Sequence, residues 1–439
     1  MFKNAVIVMS LSKRYNFGIG GDIMLNSQKI GSFIAEKRKT LGLTQQKLAD
    51  MLHISFQAVS KWENGSSLPG TEILRSLATA LDISVDELLM GGEMMGEGFS
   101  YSKAGVDIAY TDMIKKEMTE HLSTGDKRVL NGLGPFASLY DIEFPEIKKP
   151  VLVLKSEEPG SKQKLAMEYG YTESICYDMI NHLVNDIIVM GAKPLAVLDT
   201  IVCANAEKDT INSLIKGISK ACAHNECSLV GGETSIQPSV LEKGVYVLTS
   251  SIAGIVEKDM IIDGSAVKEG DCVLAVESNG LHTNGYSLVR LLMETMPNIK
   301  LDRIDGLTFI EQIMKPHTSY YKAVKELFPE KCITAMAHIT GGGIRGNLLR
   351  VIPDGLSANI DLASVRIPSI FKYIRTCGNI SDGEMLQTFN CGVGLIIVTR
   401  QKHKEHVIRH VSKTYACYEI GSIQKGEEKV GFSGRLNWI

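Results

Sequence analysis

An eight-residue run, Gly91-Gly92-Glu93-Met94-Met95-Gly96-Glu97-Gly98, divides this chain into two stretches that cannot share one folding pattern. Half of it is glycine and it carries no apolar periodicity, so it reads as a flexible joint. Before it, apolar residues recur at helical spacing. After it, short apolar runs alternate with helical stretches. A chain of 439 residues has room for two to four domains at about 100–200 residues each. Its 44% hydrophobic and 22% charged residues are ordinary for a globular protein, and no apolar run approaches the roughly 20 residues of a membrane helix. A net charge of −3 excludes a chain that binds nucleic acid along its whole surface. The nine cysteines are scattered and contain no CxxC, which points to reduced thiols in the cytoplasm rather than a disulfide framework or a zinc site. Residues 1–26 fit nothing downstream. They are read either as a disordered tail or as a leader preceding a true start at Met24, after Gly20-Gly21-Asp22.

Residues 27–90 predict five short helices. Ile30, Phe33, Ile34 and Leu41 mark the first, from about Lys29 to Thr40, and Gly42 ends it. Thr44 caps a second that turns Leu48, Ala49 and Leu52 inward. Ser55 caps a third, with Val59 and Trp62 facing the core and Asn64-Gly65 as the left-handed stop. Ile73, Leu74, Leu77, Ala78 and Leu81 form the apolar face of a fourth, and Ser84-x-x-Glu87 is a capping box opening the fifth. The tight turn between the second and third makes this a helix-turn-helix bundle. Residues 27–62 hold six Lys/Arg against two acids, and residues 63–90 one against five, so positive charge gathers on the helices that would approach DNA. The segment resembles the Cro/repressor-type (XRE-like) helix-turn-helix family. That resemblance implies a phosphate contact from Gln45 and places Phe56, Gln57, Ser60 and Lys61 on the exposed face of the recognition helix. Gln suits adenine and Lys suits guanine in the major groove of double-stranded DNA.

Beyond a linker at 91–99, the pattern predicts an α+β/α-β body in two subdomains, 100–262 and 263–439. Val151–Leu154 reads as a buried strand, Ile175–Met190 as a helix and Pro194–Val202 as a strand. Ile211–Cys222 reads as a helix, Gly244–Val256 as a β-rich stretch, and Cys272–Val276 and Val393–Val398 as strands of the second subdomain. Asp178, Asn185 and Asp186 lie about two turns apart on one helix face. They suit either metal or nucleotide placement, or plain solvation.

Glycine turns beside acidic residues recur in a fixed order. The series opens with Ser100-Tyr101-x-x-Ala104-Gly105-Val106-Asp107-Ile108 and runs through Asp178, Asn185-Asp186, Gly191-Ala192-Lys193-Pro194, Gly231-Gly232-Glu233-Thr234 and Ile261-Ile262-Asp263-Gly264-Ser265. Gly280-Leu281-His282-Thr283-Asn284-Gly285-Tyr286-Ser287-Leu288, His338-Ile339-Thr340-Gly341-Gly342-Gly343 and Thr388-Phe389-Asn390-Cys391-Gly392-Val393-Gly394 complete it. Across about 100–425 the chain resembles the phosphoribosylformylglycinamidine cyclo-ligase (aminoimidazole ribonucleotide synthetase) family. The resemblance implies an ATP-driven ring closure of a phosphorylated purine precursor, with Mg2+ bridging phosphates, in a homodimer. It implies catalytic roles for Asp178, His282 and Asn284, and metal placement by Asp107, Asp178 and Asp186. Nucleotide contacts are implied for Asp107, Ser156, Glu157, Gly160, Ser161, Lys162, Asn185, Asp186, Glu233 and Thr234. Thr340, Gly341, Gly342 and Gly343 would cradle the substrate phosphate.

Two places depart from the family. Its phosphate loop Thr-Asp-Gly-Val-Gly-Thr-Lys stands here as Ser156-Glu157-Glu158-Pro159-Gly160-Ser161-Lys162, which adds charge and removes a backbone donor. The segment Pro316-His317-Thr318-Ser319-Tyr320 lacks the basic residue that the family places after Pro-Thr. Two functions stay open: an active cyclo-ligase carrying a DNA-binding domain, or a transcription regulator whose altered body senses a purine intermediate. A third is another ATP-using relative acting on a different amide or acid.

Overall fold

The computed structural model describes residues 25–92, 112–113, 116, 125–131, 136–205 and 207–439. Asp107, residues 1–24 and linker residues 93–99 lie outside them. The chain divides into two compact units, Met1–Ser100 and Tyr101–Ile439.

In the first unit, helices α1 (Ser27–Thr40), α2 (Gln45–Met51), α3 (Phe56–Glu63), α4 (Leu74–Ala80) and α5 (Val85–Met90) follow one another. Their starts are set by local chemistry, because the first N–H groups of a helix lack intrahelical acceptors. Asn26, Thr44 and Ser55 accept from Lys29, Lys47 and Ala58, and Ser84 with Glu87 closes the expected capping box. Ile30, Ile34, Leu48, Val59, Trp62, Leu77 and Leu88 form the core. Leu41 does not join it; it caps α1 and is exposed, since the helix has ended and its face no longer points inward.

The second unit opens with β1 (Pro150–Glu157), α6 (Lys162–Tyr169), α7 (Thr172–Ile188), β2 (Lys193–Cys203), α8 (Lys208–His224), β3 (Ser228–Ile236) and β4 (Tyr246–Glu257). These strands form a sheet ordered β1-β4-β2-β3, with only β2 and β3 parallel. The expected β-rich stretch is thus the single strand β4. β1 is a strand, as expected, but not a buried one. It lies at a sheet edge and turns Leu152 and Leu154 outward, 53% and 71% exposed. Four consecutive apolar residues conceal the period-two alternation of a one-sided strand, which is why the run reads as buried.

The second sheet runs β12-β9-β11-β5-β10-β8. It is built from β5 (Cys272–Glu277), β8 (Ile333–His338), β9 (Leu356–Asp361), β10 (Val393–Thr399), β11 (Cys417–Lys425) and β12 (Val430–Ser433). A two-residue pair, β6 (Arg303–Ile304) and β7 (Leu307–Thr308), sits between α9 (Tyr286–Thr295) and α10 (Phe309–Ile313). Helix α11 (Tyr321–Val324) precedes β8, and α12 (Gly343–Leu348) follows it. α13 (Ser369–Gly378), α14 (Asp382–Thr388) and α15 (Lys404–Val411) complete the unit.

One continuous apolar core joins the subdomains. It contains Met179, Leu183 and Ile187 of α7 together with Leu274 and Val276 of β5 and Leu395 and Ile397 of β10. No described helix is long and apolar enough to cross a membrane.

Candidate functional site

The polar face of α7 is the organising element of the second unit. Asp178, Asn181, His182, Asn185 and Asp186 follow the 0, 3, 4, 7, 8 spacing of one helical stripe. Asp178 and Asn185 are not solvated, having no exposed surface, and Asp186 is half-buried. The stripe binds the segment Lys315–Tyr320 along its length. Asp178 accepts from the His317 N–H at 2.8 Å, and Asn181 donates to the His317 carbonyl at 2.6 Å. Asn185 donates to Thr318 O at 2.8 Å and accepts from Tyr320 N–H at 3.0 Å. The departing segment seen in sequence is therefore strapped onto the helix that carries the expected site carboxylates.

Lys162, from the start of α6, lies wholly inside. Its ammonium donates to Asp178 Oδ1 at 2.8 Å, to His282 O at 3.1 Å and to Lys315 O at 2.7 Å. These acceptors use its three N–H donors, so Lys162 ties α6, α7 and two loops together. Burial pushes the Asp178 carboxyl up to about 6, against the pull of Lys162, and pushes the Lys162 ammonium down. Direct contact at 2.8 Å keeps the two as an ion pair at neutral pH.

Four histidines gather beside this pair. Asp186 Oδ1 lies 2.7 Å from His338 Nδ1, and His338 Nε2 lies 2.9 Å from His317 Nε2. Thr283 Oγ1 lies 3.2 Å from His182 Nδ1 and 3.5 Å from His317 Nδ1. The His282 ring stacks on His317 with centroids 4.0 Å apart, and neither of its buried nitrogens has a partner. Burial, reinforced by neighbouring histidines, lowers His282 and His317 well below the usual range and takes His182 to about 4. Burial alone would raise Asp186, but the His338 hydrogen bond and the charges of His338, His182 and Lys155 outweigh it, and the net shift is strongly downward. Gly394 of β10 makes room for this packing: a Cβ there would strike the Tyr320 hydroxyl and come within 2.8 Å of His282 Cε1.

Asn284 and the triple glycine adjoin. A Cβ on Gly341 would lie 3.2 Å from Asn284 Oδ1, and Asn284 Nδ2 is buried without an acceptor. Asn347, which the sequence reading did not single out, gathers the loop. Its amide donates to Thr340 O, Gly341 O and Gly343 O at 3.3, 3.2 and 2.9 Å, and Thr340 Oγ1 donates back at 3.2 Å. In a trans peptide the N–H points opposite to the C=O, so gathering these carbonyls turns the Gly341 and Gly342 N–H groups away from Asn347. Gly343, at φ +59, packs so tightly that a Cβ would collide with Leu386 O.

Of the remaining expected residues, Glu157 and Gly160 border this cluster and Glu233 and Thr234 lie away from it. Ser156 lies on exposed β1 and bonds to Ser250 O and the Ser251 hydroxyl. Glu157 pairs with Lys155, which also reaches Asp186 Oδ2 at 3.1 Å. Gly160, at φ +63, faces Thr283 O, and Ser161 makes no capping bond. Glu233 and Thr234 lie on β3, at the opposite sheet edge from β1, roughly 14 Å away at about 4.8 Å per strand. Beside them the sequence reading missed Asp199 on β2. Burial raises it to about 7, with Glu233 adding to the shift, and its Oδ2 has no partner. A lone carboxylate inside the apolar run Leu195–Val202 was the available signal. His182, His317 and Thr283 were also missed, because only packing brings them together.

In the first unit, Phe56, Gln57 and Lys61 are exposed on α3 and Ser60 is half-buried. Gln45 donates to Glu63 at 2.7 Å, and Glu63 also pairs with Arg38 at 2.5 Å.

These features define a two-domain AIR synthase-like body behind a helix-turn-helix. Family models match accordingly: "AIR synthase related protein, N-terminal domain" over 151–256, its "C-terminal domain" over 268–433, and "Helix-turn-helix" over 34–88. The chain is 37% identical over 343 residues to a phosphoribosylformylglycinamidine cyclo-ligase of Bacillus cytotoxicus, covering 77% of this chain and 99% of that one. It is 40% identical over 301 residues to the cyclo-ligase of Methylobacillus flagellatus, covering 68% and 86%. This chain belongs to the phosphoribosylformylglycinamidine cyclo-ligase family, with an added XRE-like helix-turn-helix. The fold is shared more widely. E. coli HypE superposes with a TM-score of 0.55 at 14% identity, covering 74% of this chain and 94% of that one. Thiamine-monophosphate kinase of Stenotrophomonas maltophilia superposes with 0.53 at 17%, covering 76% and 98%.

Proposed function

We propose that the protein closes the imidazole ring of formylglycinamidine ribonucleotide at the expense of ATP, and that its first unit binds double-stranded DNA. The observation that carries the reading is a set of unpartnered buried groups near a loop whose carbonyls are gathered by Asn347. These are both His282 nitrogens and, two residues on, the Nδ2 of Asn284, whose Oδ1 lies beside Gly341. Buried polar groups without partners are uncommon and costly, so their clustering points to a ligand that completes them. ATP phosphorylates the formamide oxygen and leaves as ADP. The amidine nitrogen then attacks that carbon, the C–N bond forms, the C–O bond breaks, and phosphate departs. Asn284 and the glycine N–H groups hold oxygens of the substrate phosphate. His282, kept neutral by burial, offers a lone pair for the proton lost by nitrogen.

Magnesium prefers a cage of oxygen ligands. Asp178 gives Oδ1 to Lys162 and keeps a buried, unpartnered Oδ2 that could serve an ion, whereas Asp186 engages His338 and Lys155 with its two oxygens. The exposed edge of β1 with Leu152 and Leu154 supports pairing of two copies.

A second reading, a regulator that binds the substrate without turnover, is favoured by one observation. Lys162 spends its three donors inside the protein, so it has none left for a triphosphate, and the altered loop exposes the acid Glu158. Incubating the purified chain with formylglycinamidine ribonucleotide, ATP and magnesium separates the two. Equal release of ADP and imidazole product establishes the ligase, whereas binding of the ribonucleotide with no product establishes the regulator.

A further inference from the structure

We propose that His282, His317 and His338 form a binding site for a divalent transition-metal ion of the zinc class, held by imidazole nitrogen and open to one further ligand. One ring nitrogen from each histidine lies within 4.8 Å of the others, and all three side chains are buried. They come from three places in the second subdomain: the turn after β5, the segment before α11 and the end of β8.

A purely hydrogen-bonded cluster does not account for this group. His282 is 1% exposed, yet neither nitrogen meets a donor or acceptor. An imidazole buried in this way carries the full cost of its lost hydration, which a metal bond would remove. The tautomers also agree with metal binding. A carboxylate only accepts, so Asp186 at 2.7 Å places the proton on His338 Nδ1 and leaves the Nε2 lone pair facing the other two rings. This carboxylate–histidine contact is the outer support that metal-ligating histidines ordinarily have. Across the 2.9 Å gap, His317 Nε2 holds the hydrogen. When an ion takes that position, the proton moves to His317 Nδ1, where the Thr283 hydroxyl at 3.5 Å accepts it, and no net proton is released from the ring. Zinc–nitrogen bonds of about 2.0–2.1 Å set the three nitrogens roughly 3.3 Å apart, so the His317–His338 pair opens slightly from 2.9 Å while His282 adjusts on the order of an ångström by side-chain rotation.

A second grouping, His182, Asp186 and His338, draws on His338 Nδ1, which is already committed to Asp186. Nitrogen donors without carboxylate select zinc, cobalt, nickel or copper over magnesium. Three protein ligands leave the fourth position of a tetrahedral ion to a non-protein ligand, as in catalytic rather than structural zinc sites. The scattered cysteines predicted no zinc site; the histidines, assembled only by folding, provide one. An ion here would bind the ring that the proposed ring closure uses as a base, so its presence and turnover would compete.

The test uses the full chain freed of metal and titrated with Co2+ alone, then with Zn2+. One Co2+ per chain with the visible absorption of a tetrahedral site is expected, displaced by equimolar Zn2+ and insensitive to a thousandfold excess of Mg2+. His317→Gln and His282→Gln should abolish the absorption, and Asp186→Asn should weaken binding about 10–100-fold. On the zinc-loaded wild type, X-ray absorption should show three nitrogen neighbours at about 2.0–2.1 Å; sulfur at about 2.3 Å would put the ion on cysteine and overturn the proposal. Absence of uptake, or unchanged binding in both histidine variants, would overturn it equally. These readouts are spectroscopic, so their failure leaves the ring-closure reading intact, and failed turnover leaves the metal site intact.

Discussion

Replacing Lys162 with methionine is the sharpest test of how the second unit is held together. The substitution keeps length and apolar volume but removes the cation. Asp178 would then stand at zero exposure with no counter-charge, keeping only the His317 N–H, and the carbonyls of His282 and Lys315 would lose their donor. Breaking a buried ion pair from one side costs about 3–5 kcal/mol. Asp178 limits the loss by taking up a proton, since burial has already raised it to about 6. At roughly 2.1 cal/mol/K per residue, a body of about 300 residues has an unfolding entropy near 0.6 kcal/mol/K, so Tm should fall by about 5–8 °C. Differential scanning calorimetry of the full chain at pH 7 reads this directly. The double variant Lys162→Met with Asp178→Leu should recover about half of the loss, because the unpaired carboxylate disappears while the two carbonyls stay unmet. A single-variant shift below about 2 °C, or no recovery in the double variant, would show that Lys162 is not the tie described.

Acid stability should report on Asp186. Its folded-state pKa lies below its unfolded value of about 3.8, so its contribution is present above that pH and lost as the pH falls further; Asp186→Asn should flatten the decline in Tm below about pH 4. Gly343→Ala forces a Cβ into Leu386 O at a positive φ, so binding of the substrate ribonucleotide measured by calorimetry should weaken at least tenfold; unchanged affinity would remove the loop from the site. Glu157→Asp with Glu158→Gly should raise turnover by restoring room for triphosphate, and lower turnover would mean that this loop has another task. Gln57→Ala with Lys61→Ala, both on the exposed face of α3, should abolish specific operator shifts in gels while leaving the melting of the first unit unchanged.

Much of the architecture was legible because its causes are local. Caps at Thr44, Ser55 and Ser84 act within three residues of the N–H groups they satisfy, so helix starts in the first unit are written in the chain itself. The order of glycine turns likewise marked where backbone comes close to other groups. Long-range burial was less visible. Val151–Leu154 reads as buried, yet whether an apolar strand lies at an edge depends on which neighbours it acquires, and β1 acquires only β4. Asp178 and Asn185 carry the same ambiguity, since an Asp on a helix reads as solvated until a lysine 16 residues away and a segment more than 130 residues away fold onto it.

The amino-acid order alone therefore determined the two-part division, the helix-turn-helix and the succession of motifs that places the body in its family, all of which rest on interactions spanning a few residues or on pattern. Tertiary structure decided the partners. It turned Lys162 inward, fastened Lys315–Tyr320 to α7 and brought four histidines from separate elements into one buried cluster. Spacing along a chain says nothing about which distant groups share a cavity, because that is settled by packing the whole core.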